Sequence, residues 1–276
     1  MYQLNDQTGF GKSYYHDDSS KCRGSSENDQ IMDHQPLVMV EVNQERKIIR
    51  HLNFEDQSGI QRLTFGTFEF SSQQSLDRDR ILAPAECELY ARMKINQRRA
   101  EFLAGRFIAK QIIISRNSFY RMSEIPIING VWGFPLIYCD GLATKGISIA
   151  HTQSVAAALY APQTTHPVAI DVEDMDPDKM RVLQKFVECD ESILVDAPAM
   201  HRLYLLWSAK ESAGKALRTG FGLPHEYLKI RKIARKGALF NISYQLLPQI
   251  SAIAWFEENR IFSIAFPSVW RLTDFI

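Results

Sequence analysis

The sequence predicts an α+β fold of two similar lobes, each a small antiparallel sheet packed with one long helix, the pair related by pseudo-twofold symmetry. Three observations predict it. Strand-like and helix-like segments are segregated along the chain, which argues against a Rossmann-type alternation. Two long stretches, 83–115 and 199–218, carry helical periodicity with small residues in their middles. Each is followed by strand-like alternation. The halves are too dissimilar for a sequence repeat, and the join between the lobes is expected between Ala161 and Pro167.

Residues 1–35 are rich in Ser, Asp, Asn, Gln and Gly and read as a mobile tail. The N-terminal lobe is expected over 36–163, opening on a candidate strand at Pro36–Val42. The first helical stretch is strongest from Arg98 to Lys110, where Phe102, Leu103, Arg106 and Phe107 recur at helical spacing. Turn signals follow at Asn129-Gly130 and Gly133-Phe134-Pro135. A hairpin is predicted from Gly146–His151 and Ser154–Tyr160, with a further turn at His166-Pro167. The C-terminal lobe, over 164–276, opens on Val168–Glu173, a buried strand that turns acidic before Pro177 stops it. The second helix spans Ala199–Arg218, and the last 50 residues alternate as strands, ending in Ile261–Phe266.

The bulk composition narrows the function classes. The chain has 276 residues, 45% of them hydrophobic and 23% charged, as in ordinary globular proteins. Lys plus Arg balance Asp plus Glu at 32 each, so no net basic field points to nucleic acid or an acidic membrane. No apolar run is long enough to span a bilayer, and the polar start, Met1 to Asp6, lacks the pattern of a secretory signal. Cys22, Cys87, Cys139 and Cys189 lie far apart with no C-x-x-C pair, so neither zinc nor a disulfide framework is expected. A reduced cytoplasm is the expected location.

Four groups of residues could carry chemistry. Asp171 and Glu173 are two apart on a strand and project from the same face. Their mutual repulsion would be relieved by a hard cation such as Mg²⁺, although D-x-E also occurs by chance at solvated strand ends. Glu211 and Lys215 are i,i+4 on a helix, with Trp207 one turn earlier on the same side and Lys210 adjacent. Their neighbours are apolar or small, which suggests a half-buried site rather than a surface ion pair. His151 ends an apolar strand and is by itself more readily a hydrogen-bonded strand-end histidine. Arg98, Arg99 and Arg106 could grip phosphate bidentately or, equally, be solvated or paired with Glu101. Neither G-x-x-x-x-G-K-[ST] nor G-x-G-x-x-G is present.

In this order the segments resemble the 4′-phosphopantetheinyl transferase superfamily, in its larger, monomeric surfactin-synthetase or enterobactin type. The family strand G-[IV]-D-[IV]-E is matched by Ala169-Ile170-Asp171-Val172-Glu173, and [FW]-[SCT]-x-K-E-[AS]-x-x-K by Trp207 to Lys215. Arg98 to Arg106 match R-R-x-E-F-L-A-G-R, Gly133-Phe134-Pro135 the G-x-P turn, and Ser148-Ile149-Ala150-His151 the S-I-S-H strand end. Ala169 and Ala150 depart from the usual glycine and serine, and Ala150 forgoes a possible phosphate contact.

The resemblance implies transfer of 4′-phosphopantetheine from coenzyme A to a serine of an apo acyl or peptidyl carrier protein, releasing 3′,5′-ADP. It implies that Asp171, Glu173 and Glu211 hold Mg²⁺. It puts Arg99, Arg106, Gly133, Pro135, Ala150, His151, Lys210 and Lys215 among the residues around coenzyme A. Glu211 would be the base and Lys215 would neutralise the leaving group. A monomer with no nucleic-acid or membrane partner is expected. A metal-dependent phosphodiesterase or nuclease, and a carrier-binding module without catalysis, are the rival readings.

Overall fold

The structure, a computed structural model, describes residues 47–73, 75–142, 146–162, 166–187, 197–219 and 222–275. The expected tail over 1–35 and the candidate strand at Pro36–Val42 lie outside the described residues, as do 163–165 of the expected join. The first described element is a hairpin absent from the sequence reading, β1 (Lys47–Asp56) and β2 (Gly59–Glu69). Its turn is closed by Asp56, whose Oδ1 accepts the Ser58 backbone N–H at 2.7 Å. In β2 the period of two separates Leu63 and Phe65 from Gly66 and Phe68, yet both faces are buried because each is covered.

The stretch 83–115 is two helices rather than one, α2 (Pro84–Arg92) and α3 (Asn96–Ile114), after the single turn α1 (Arg78–Ile81). Pro84 suits the first helical position, and Glu86 reaches back to accept the Ala83 backbone N–H at 2.8 Å. Extended backbone at Met93 and Ile95 lets α2 fold back, bringing Glu86 against Lys110 and Arg106 of α3. A short hairpin, β3 (Ile127–Asn129) and β4 (Pro135–Ile137), carries the G-x-P turn, with Gly133 at a φ of +80° that favours glycine. The predicted hairpin is β5 (Ile147–His151) and β6 (Val155–Tyr160).

β7 (Ala169–Asp174) is the acidic strand; α4 (Met180–Val187) and α5 (Ala199–Ala216) follow. Five strands complete the chain: β8 (Ile230–Lys236), β9 (Leu239–Tyr244), β10 (Ile250–Glu257), β11 (Arg260–Pro267) and β12 (Arg271–Phe275). One sheet has the order β12-β1-β2-β6-β5 and the other β7-β11-β10-β9-β8, all neighbours antiparallel. Thus β12, which lies within the expected C-terminal lobe, completes the sheet of the N-terminal one.

Each sheet carries one long helix. Ile108 and Ile112 of α3 pack so close to β2 that a Cβ on Gly66 would lie 2.6 Å from Ile112 Cγ2. A second core sits between the sheets, where Phe54 and Phe65 meet Trp255, Phe262, Phe266 and Trp270. A third lies under α5, including Tyr204 and Leu205. β7 alternates accordingly, with Ile170 and Val172 in the inter-sheet core and Ala169 on the α5 side. Asp171 and Glu173 share the side of Ala169, so β7 aims both carboxylates at α5. Among the described residues no helix is long and apolar enough to cross a membrane.

Candidate active site

The residues of α5 that face β7 recur at i, i+4 and i+8: Trp207, Glu211 and Lys215. Trp207 Nε1 donates to Glu173 Oε1 at 2.9 Å. Lys215 Nζ donates to Asp171 Oδ1 at 2.6 Å. Ser208 Oγ donates to the other oxygen of Asp171 at 2.8 Å and lies 2.9 Å from Ser263 Oγ of β11, opposite Asp171 in the sheet. Each oxygen of the Asp171 carboxylate thus accepts one hydrogen bond, and the residue is 2% exposed. The polar seam of Ser208 and Ser263 binds helix to sheet without a bulky side chain, so α5 can approach β7 closely.

The three carboxylates act on one another. Burial first, and then Asp171, push Glu173 up to about 7, against the pull of Trp207 and Lys215. Burial and then Asp171 likewise push Glu211 up to about 7. Burial would lower Lys215, but Asp171, Glu211 and Glu173 together outweigh it and leave its ammonium more firmly protonated. Among the described residues no three acidic, histidine or cysteine side chains already close on one metal-sized point. The donor chemistry nonetheless fits a hard divalent cation: three carboxylate groups, two of them held from ionising by crowding and burial, are the arrangement such an ion relieves.

His151 stands exposed at the end of β5, and Lys215 is near enough to act on its charge. Burial chiefly lowers its imidazole, while Glu101 raises it. Between the G-x-P turn, β5 and the end of α5 lies a cleft of about 400 Å³, lined by Gly133, Pro135, Ser148, Lys215 and Arg218 among others. Here Arg218 sits over the Phe134 ring, 4.8 Å from its centroid. Ser148 Oγ accepts the Ile170 backbone N–H at 3.1 Å, pinning β5 to β7 so that cleft and carboxylates share one wall.

Four of the residues expected around coenzyme A have other occupations. Lys210 is fully buried, and its ammonium donates to the carbonyls of Phe186 and His225 at 3.1 and 3.4 Å. It ties the end of α4 and the segment at His225 to α5 rather than facing the cleft. Arg99 donates through Nε to Met93 O at 2.7 Å and lies over the Tyr90 ring. Ala150 is buried between the sheets, on the opposite side of β5 from Ile149 and His151. Arg106 reaches the wall of a smaller hollow beside His151, but is 6% exposed and pairs with Glu86. Its Nε lies 3.0 Å from Glu86 Oε1 without an aligned hydrogen bond, so the contact is one of charge.

Other residues line this region that the sequence reading did not assign to the site: Ser208, Ser148 and Arg218. Ser208 was legible as the second residue of the W-S-x-K-E run. Only the fold brings Ser148 and Arg218 together.

A family model for the 4′-phosphopantetheinyl transferase superfamily matches residues 167–265, from β7 to β11. A holo-[acyl-carrier-protein] synthase of Halalkalibacterium halodurans is 32% identical over 84 residues, spanning 29% of this chain and 70% of that protein. Among solved structures, a holo-(acyl-carrier-protein) synthase of Bacillus anthracis in complex with CoA (3′,5′-ADP) is 20% identical, with a TM-score of 0.32 over 41% of this chain and 99% of that one. The synthase of Thermotoga maritima is 21% identical, with a TM-score of 0.29 over 43% and 72%. Nothing about the site rests on these two likenesses.

Proposed function

Because this chain belongs to the 4′-phosphopantetheinyl transferase superfamily, we propose that it moves phosphopantetheine from coenzyme A to a serine of an acyl or peptidyl carrier protein, releasing 3′,5′-ADP. The observation that carries the reading is the seam of β7 and α5, where Asp171, Glu173, Glu211 and Lys215 gather beside a cleft of about 400 Å³.

The serine hydroxyl attacks the phosphorus that bears the pantetheine arm, and the bond to the bridging oxygen breaks. Glu211, held near neutrality by burial, is the base that takes the hydroxyl proton. Lys215, firmly protonated, faces the departing oxygen and offsets the charge that develops there. Asp171 orients that ammonium. His151 and Arg98 hold coenzyme A phosphate beside α3. Asp171, Glu173 and Glu211 would hold Mg²⁺, which when bound supplies Lewis-acid stabilisation of the phosphoryl oxygens. Positioning and electrostatics thus dominate the rate, as for phosphoryl transfers generally.

Intact-mass measurement of a panel of apo carrier proteins, incubated with the full chain, coenzyme A and Mg²⁺, tests this. The expected result is a gain of one phosphopantetheine that EDTA abolishes and that Asp171→Ala does not support. Turnover by Asp171→Ala at the wild-type rate would remove the metal-site assignment, and no gain on any carrier without coenzyme A binding would remove the function.

A further inference from the structure

Beside the cleft, α3 and the end of β5 enclose a hollow of about 260 Å³ whose charged lining is Arg98, Glu101, Arg106 and His151. Glu101 is the single carboxylate in that lining and is 7% exposed. Three groups converge on it. Gln97 Nε2 donates to Oε1 at 3.2 Å, Arg98 donates to Oε2 at 3.3 Å, and His151 Nδ1 lies 3.8 Å from Oε2. The same Gln97 amide donates to Gln153 O at 2.9 Å, fastening the first turn of α3 to the turn just past His151. A carboxylate so nearly buried needs a reason to stand in a hollow otherwise lined by cations. Without it, Arg98, Arg106 and His151 would repel one another before any anion arrived.

We propose that Glu101 is a positioning residue for an anion subsite, holding the His151 ring with Nδ1 toward α3, so that Nε2 serves a phosphate of coenzyme A. This rests on the reading of His151 as a phosphate ligand. The charged groups that face His151 are Glu101, Arg98 and Arg106 from α3 and Lys215 from α5; its strand partner opposite, Ala156 of β6, contributes none. Burial, Lys215 and Arg98 all act to discharge the ring, and Glu101 acts against them. Removing Glu101 therefore takes away the largest of the influences that favour the charged ring.

A dissociation constant that requires the imidazolium rises about tenfold per unit of lost pKa, but only above that pKa; well below it both proteins bind alike. The test is Glu101→Gln in the full-length chain, read by NMR titration of the His151 ring without coenzyme A and by calorimetric coenzyme A binding at two pH values. The expected result is a His151 midpoint lowered by roughly 0.5–1 unit, and affinity weakened about 3- to 10-fold at pH ~8 and distinctly less at pH ~5. In a His151→Ala background Glu101→Gln adds nothing. An unmoved midpoint overturns the proposal. Equal weakening at both pH values does so too, because it would mark a structural role. Tighter binding would mean that Glu101 merely repels the anion. If His151→Ala alone binds coenzyme A like wild type, the phosphate-ligand reading falls, while the NMR midpoint still judges the hold of Glu101 on the ring.

Discussion

Glu86→Gln is expected to destabilise the protein by about 3–5 kcal/mol, the range for leaving a buried charge without its partner. Glu86, Lys110 and Arg106 are 0%, 0% and 6% exposed, so two cations depend on one carboxylate. Glu86 pairs with Lys110 through Oε2 and with Arg106 through Oε1, and also accepts the backbone N–H groups of Ala83 and Ile127 at 2.8 and 3.2 Å. Glutamine keeps one acceptor and the shape, so the lost term is chiefly the charge. Burial, opposed by Glu86, already lowers Lys110; in the variant the ammonium sheds its proton more readily still. A folded-state lysine pKa below the unfolded one makes stability rise with pH between the two values. The deficit should therefore shrink from pH 7 toward pH 10. Urea titration of both proteins measures it, as a midpoint lowered on the order of 1–2 M for typical slopes. Adding Lys110→Met should recover part of the loss. A deficit under about 1 kcal/mol at pH 7, or one independent of pH, would refute the account of Glu86 as the counter-charge of this core.

Three further outcomes follow from the site. Glu173 and Glu211 are raised from 4.5 to about 7, so the metal-free protein loses stability as pH rises through that window, and the Mg²⁺-induced rise in Tm should be large at pH ~7.5 and vanish near pH ~5; an equal rise at both would refute the carboxylate ligands. Trp207→Phe removes the N–H that Glu173 accepts, worth about 1.5–3 kcal/mol to an ionised carboxylate, and should weaken Mg²⁺ binding roughly tenfold or more by calorimetry. Lys210→Met removes the hydrogen bonds its ammonium donates to two carbonyls, worth about 1–3 kcal/mol each, and should lower Tm, whereas a loss of coenzyme A affinity at unchanged Tm would return Lys210 to the cleft.

The acidic strand and the helix facing it were legible as neighbours because their side chains recur at short-range spacing. Asp171 and Glu173 share a face by the period of two, and Trp207, Glu211 and Lys215 share one by the period of about four. The arginines of α3 were not legible in the same way. Arg98, Arg99 and Arg106 are alike in sequence, and only the fold sends one to Glu101, one to Met93 O and one to Glu86. The break at 93–95 was hidden because Met93, Lys94 and Ile95 carry neither glycine nor proline. Helical periodicity runs through them, and tertiary packing overrides it. The β1–β2 hairpin escaped notice although Ser58-Gly59 and its flanking alternation were there to be read. The partners of Lys210 were not legible, because its reach to Phe186 and His225 depends on segments 24 and 15 residues away.

The pairing of β12 with β1 bears on how the protein is made. A ribosome delivers β1 more than 200 residues before its outer neighbour, residues 271–275. Throughout that interval β1 offers an unpaired backbone edge, a template for association with other chains. Contacts so distant in sequence also form late and slow the search for the native state. The same closure makes the two sheets one cooperative unit, since pulling β12 away would open one sheet and, through Trp270 beside Phe54, loosen the core shared with the other.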